Sequence, residues 1–163
     1  MSRPSTADSL LPSRVCYHDG GRLLSGRKGS VNDCVVRSIS IVADLPYASV
    51  YKEVMRRGRI GYKRKSYTPR WGVDTKRIWF KNYMVSLGFV WHKVQRGTPI
   101  FLPIFSSGRF VIDMRRHYTA MIDGIVYDIF DCTLCGSRKI CGYWVLNECK
   151  SSCGIPSGGI DNG

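Results

Sequence analysis

His117-Tyr118-Thr119-Ala120-Met121-Ile122-Asp123-Gly124-Ile125-Val126-Tyr127-Asp128-Ile129-Phe130-Asp131 reads as two apolar runs folded about Asp123-Gly124. Asp-Gly between such runs is a strong short-range hairpin signal, because both central residues of the tight turn need positive φ. Working outward, Phe89–Val94, Arg109–Met114 and Cys141–Leu146 also read as strands, beside His117–Ile122 and Ile125–Phe130. Upstream the period changes to that of helices. Asn32 or Asp33 can cap a helix running to about Ala43, with Val35, Ile39 and Val42 on one face. Pro46 suits the first turn of a second helix that runs through Tyr47, Val50, Tyr51, Val54 and Met55 to a stop near Gly58. A third spans Asp74 to Leu87, with Ile78, Trp79, Tyr83, Met84 and Leu87 inward and Gly88 as its stop. Helices first and an antiparallel sheet after them predict an α+β domain. We place it over residues 15–150, between a Ser/Pro-rich tail at 1–14 and a Ser/Gly-rich tail at 151–163.

The hairpin also carries chemistry. His117 opens its first strand, and antiparallel pairing returns a carboxylate to its side. A two-residue turn makes 122 face 125 and puts Asp128 on the His117 face, one diagonal away. A three-residue turn with a bulge shifts the parity and puts Asp131 there instead. The sequence leaves both registers open. A carboxylate on an imidazole fixes its tautomer and stabilises the imidazolium that forms when histidine takes a thiol proton. The thiol for that reading is Cys34, at the first turn of the first helix, where unpaired N–H groups and the positive end of the dipole favour a thiolate. The Cys34 N–H and the Asn32 side chain would face a developing oxyanion. Asp33 works against the thiolate unless its charge is spent on capping. The other two histidines, His18 and His92, lie in a Gly-flanked loop and within a strand.

Asn32-Asp33-Cys34-Val35-Val36-Arg37-Ser38-Ile39 resembles the D-C-V-V-R-A-I signature of small papain-like cysteine peptidase-fold proteins, which are common in phage and bacterial genomes. The resemblance continues through Pro46-Tyr47, Gly108–Val111, His117–Gly124, Val126–Asp128, Phe130-Asp131 and Gly142–Trp144, most of the chain between Asn32 and Trp144. It implies a helical side bearing the cysteine packed on a sheet side bearing histidine and an acid. It further implies Cys34 as nucleophile and His117 as base. The orienter it implies is Asp131, because the family's segment often ends in Trp-Asp where this chain has Phe130-Asp131. The activity implied is hydrolysis of a peptide, isopeptide or other amide bond through an acyl-thioester, or acyl transfer through the same intermediate, on a protein or peptide substrate.

Composition sets the remaining expectations. The formal charge is +13, from 25 Lys and Arg against 12 Asp and Glu, which attracts polyanions. The densest basic stretch holds Arg56, Arg57, Arg59, Lys63, Arg64 and Lys65, interleaved with Tyr62 and followed by Tyr67 and Trp71. Such a stretch can contact single-stranded nucleic acid or an acidic partner, or border a cleft for acidic proteins. A non-catalytic basic binding module on the same fold is therefore the alternative function. Seven cysteines without an apolar leader argue against a disulfide framework. Cys132, Cys135, Cys149 and Cys153 form a conceivable four-thiolate zinc set, with Cys141 nearby, but scattered reduced thiols are the preferred reading. No metal or cofactor is called for. With no long apolar run, no membrane span is expected, and the expected location is the cytoplasm, that of the host cell if the chain is phage-encoded.

Overall fold

The computed structural model describes residues 14–28, 31–63 and 67–147, so the expected tails fall almost wholly outside it. Strand β1 (Val15–Tyr17) is followed by helices α1 (Cys34–Ala43), α2 (Tyr47–Tyr62) and α3 (Ile78–Ser86). Strands β2 (Phe89–Lys93), β3 (Arg109–Met114), β4 (His117–Ile122), β5 (Ile125–Asp128) and β6 (Ile140–Leu146) complete the α+β arrangement. The six strands form one mixed sheet in the order β1-β5-β4-β3-β6-β2, parallel between β1 and β5 and antiparallel elsewhere.

The central strands β3, β4 and β6 read as nearly continuous apolar runs because the sheet is covered there on both faces. Val111, Tyr118, Ala120 and Trp144 face the helices, where Val36, Ile39 and Val42 of α1, Val50 and Val54 of α2, and Phe80 and Met84 of α3 close the core. Phe110, Ile112, Met114, Met121 and Val126 point the other way, into a second core closed by Ile100, Phe105 and Cys132 from connecting segments. The β4–β5 turn is the two-residue form: Ile122 pairs with Ile125, and Asp123 and Gly124 both have positive φ, 48° and 78°.

Four expectations need correction. β1 was not expected. Its three residues carry no periodic signal, and its pairing partner, Val126–Asp128, lies more than a hundred residues away. It turns the expected antiparallel sheet into a mixed one. β5 ends at Asp128, short of Phe130. α3 begins at Ile78, which is 71 % exposed, and it is Phe80 that enters the core with Tyr83 and Met84. Finally, α2 does not stop at Gly58 but runs on to Tyr62, with Lys63 as its left-handed cap.

Gly58 and Gly61 serve packing rather than termination. A Cβ on Gly58 would overlap the Tyr67 ring, and one on Gly61 the Trp79 ring, so the missing side chains let two aromatic rings lie against the helix. Glycine-to-alanine in a helix interior ordinarily gains up to about 1 kcal/mol. Here Gly58→Ala and Gly61→Ala are each expected to lose about 1–3 kcal/mol instead, the usual cost of overpacking, as a lower urea midpoint at unchanged slope.

Candidate active site

The site begins with a charge the helix must bury. Arg37 lies in the first turns of α1 between core residues and is only 5 % exposed. A guanidinium there is tolerable only if paired. Its Nε donates to Asp33 Oδ1 at 3.0 Å, and its Nη1 lies 3.4 Å from Asp128 Oδ1. Asp33 Oδ2 accepts from the Tyr47 hydroxyl at 2.5 Å and sits 2.9 Å from Arg22 Nε. Asp33 thus stands at the N-cap position of α1 without a side-chain capping bond, a correction to the expected cap. Its charge is instead balanced by two arginines.

At the other end of this chain of charges, Asp128 Oδ2 lies 2.6 Å from His117 Nε2. Asp128 is 4 % exposed, and its Oδ1 also accepts the Ile129 N–H at 2.8 Å. Burial alone would raise its carboxyl, but the His117 bond, Thr119 and the Ile129 N–H hold it below the usual carboxylate range. An ionised carboxylate only accepts, so Nε2 must carry the proton of the shared bond. The imidazole is flanked by the side chains of both Cys34 and Cys132. Burial pulls His117 down, yet Asp128 and the two sulfur neighbours more than offset it and push the imidazole up to about 11. The Phe130 ring packs on it, 5.2 Å between centroids.

Cys34, Asn32 and His117 share the wall of one cleft of about 1080 Å³, with Trp91, Trp144, Phe130, Asp113 and several cations. The Asn32 backbone N–H donates to Arg70 O at 3.1 Å, and its side chain makes no hydrogen bond among the described residues, which leaves it available at the cleft.

Asp131 is not the partner of His117. Because β5 ends early, Asp131 begins a turn, and its carboxylate accepts the Thr133 N–H and hydroxyl and the Cys135 N–H. The two-residue turn selects Asp128. The basic stretch is also not as expected. Residues 56–62 are helical, and none of Arg56, Arg57, Arg59 and Lys63 lines the cleft. Arg56 and Arg57 both pair with Glu53, Arg59 donates to Tyr67 O, and Tyr62 and Tyr67 pack on each other at 4.9 Å and on Trp79. Arg64 and Lys65 lie outside the described residues, as do Cys149 and Cys153 of the four-thiolate set.

Sequence reasoning missed Arg37, Arg22 and Tyr47, and it grouped Cys132 with other cysteines rather than with His117. Two signals marked Arg37 in the sequence: its i,i+4 spacing from Asp33, and its place inside an apolar helical run, where an arginine needs a partner. Cys132 is 1 % exposed, and its sulfur, a His117 ring nitrogen and an Asp128 oxygen all lie within 4.8 Å of one another.

Asp128→Asn is expected to cost about 3–5 kcal/mol in urea unfolding at neutral pH, since Arg37 and His117 lose their shared counter-charge in a buried site. Asp131→Asn costs about 1 kcal/mol, as a turn cap would; the reverse ranking would return Asp131 to the site. The stability that His117 contributes over His117→Gln is full at and below its ordinary value of 6.5, while Asp128 stays ionised, and fades as pH rises through about 11.

No protein-family model, no curated protein sequence and no solved structure matches this chain.

Proposed function

We propose that this chain is a papain-like cysteine hydrolase that cleaves peptide, isopeptide or other amide bonds, with Cys34 as nucleophile, His117 as base and Asp128 as orienter. The observation that carries the reading is the His117 imidazole, held through Nε2 by a buried carboxylate and flanked by the thiol of a helix-opening cysteine. In this reading the Cys34 proton rests on His117 as a thiolate–imidazolium pair, and the thiolate sulfur bonds to the carbonyl carbon. The oxyanion is met by the Cys34 N–H at the start of α1 and by Asn32. The imidazolium then returns the proton to the leaving nitrogen as the C–N bond breaks. Water, deprotonated by His117, hydrolyses the thioester, and an amine in its place would make the same site a transferase. The alternative, a binding module built on Arg56–Lys65, is weakened by the pairing of Arg56 and Arg57 and the packing of Tyr62 and Tyr67.

The test is alkylation by limiting iodoacetamide, with each cysteine located by mass spectrometry. Cys34 is expected to react on the order of 10-fold faster than exposed Cys16, Cys135 and Cys141, and His117→Ala to abolish the difference. On a panel of fluorogenic peptide amides, Cys34→Ala should lower turnover roughly 10³-fold or more. Equal reactivity of all accessible thiols, or turnover that survives Cys34→Ala, would sink the assignment.

A second reading is favoured by Cys132. A thiol, an imidazole and a carboxylate within 4.8 Å are a zinc-type donor set. The metal content of protein purified without added zinc or chelator separates the two. One equivalent of zinc that is lost in Cys132→Ser supports a metal centre, whereas metal-free protein with a fast-reacting Cys34 supports the hydrolase.

A further inference from the structure

Besides His117, the cleft is lined by five Lys and Arg side chains and a single acid, Asp113. Arg37 is spent on Asp33 and Asp128. The other four, Lys76, Lys81, Arg115 and Arg116, are exposed and form no ion pair among the described residues. They come from two separate parts of the chain. Lys76 and Lys81 lie just before and within α3, whereas Arg115 and Arg116 form the β3–β4 turn that delivers His117.

That turn is an expensive place for an arginine. Arg116 has φ 61°, a left-handed conformation that glycine or asparagine adopts more cheaply. A charge held there at a conformational cost, one residue from the base, points to a use for the charge. The remaining wall is aromatic: Trp91 packs on Trp144 at 5.1 Å and Phe130 lies over His117, with Trp91 and Phe130 themselves exposed. The volume, about 1080 Å³, exceeds what a small anion needs and has room for several residues of extended chain.

We propose that this cleft binds an acidic polypeptide segment, with carboxylates on either side of the bond presented to Cys34 held by Arg115 and Arg116 and by Lys76 and Lys81. The proposal names the substrate class of the proposed hydrolase and rests on that reading for the reaction. Its test is of binding alone. A peptide is favoured over a polynucleotide because the groups at the centre of the cleft suit an acyl carbon, which a phosphodiester chain does not offer.

The experiment uses full-length Cys34→Ala protein and fluorescently labelled peptides in an anisotropy titration. A Glu/Asp-rich peptide with two aromatic residues is compared with its Gln/Asn counterpart of the same length. The acidic peptide is expected to bind at least about 10-fold tighter, with the preference shrinking as salt shortens the screening length to ~8 Å and below. Arg115→Gln/Arg116→Gln and Lys76→Gln/Lys81→Gln should each remove most of it. Lys52→Gln/Lys63→Gln, whose residues do not line the cleft, should leave it in place. Equal affinity for both peptides, equal loss from the Lys52/Lys63 variant, or tighter binding of a labelled oligonucleotide would overturn the proposal. A Cys34 that is unreactive in wild-type protein while the acidic peptide still binds selectively would instead remove the hydrolase and leave the acidic-segment site standing.

Discussion

The structure depends on a row of alternating charges buried at the start of α1: Arg22, Asp33, Arg37, Asp128 and His117. Each member alone would be costly to remove from water. Together they neutralise one another and join the N-terminal segment, the first helix and the central hairpin at one point. Such a row is weak as a source of net stability but strict about geometry, because misplacing one charge strands its neighbour. The segment before α1 is drawn into this arrangement. β1 lies parallel to β5, the His18 N–H donates to Asp128 O at 2.9 Å, and Gly20, at φ 69°, passes so close to the Arg37 backbone that a Cβ there would meet its carbonyl at 3.0 Å.

Cys34 follows Asp33 directly, so the row fixes more than the helix. The same helix that brings Arg37 to Asp128 brings the Cys34 thiol beside the imidazole that Asp128 holds. The carboxylate next to Cys34 in sequence would oppose a thiolate if it were free. It is instead occupied by Arg37, Arg22 and Tyr47. Asp128, beside the imidazole, and Asp33, beside Cys34, are bridged by one arginine.

The charge of +13 is distributed unevenly in purpose. On α2 the arginines are paired with Glu53 or bonded to the Tyr67 backbone, and the aromatics beside them are packed together, so Arg56, Arg57 and Arg59 of the densest basic run are occupied by their own surroundings. The cleft cations that form no ion pair among the described residues are two pairs that are inconspicuous in sequence, Lys76 with Lys81 and Arg115 with Arg116. A run of like charges shows that counter-charges are absent nearby along the chain. It does not show whether folding supplies them.

Local features were legible because their causes are local. The Asp123-Gly124 turn needs two positive φ values, the apolar periods need buried faces, and a helix starting at Cys34 needs only the change of period after Asp33. These determined the α+β order, most strand and helix positions, and the candidate pairing of Cys34 with His117. The parity of the hairpin was open in sequence, and with it the choice between Asp128 and Asp131. Tertiary structure decided it, because β5 must pair with β1 and Asp128 must meet Arg37, both from the chain's first quarter. The same holds for Gly58 and Gly61, which are helix breakers by local rule and packing sites once Tyr67 and Trp79 arrive. Contacts between residues distant in the chain leave no periodic trace along it, so the sequence carried the elements and the candidate nucleophile and base. The fold alone assigned the carboxylate that holds the base, the arginine that ties it to the helix, and the second thiol at its side.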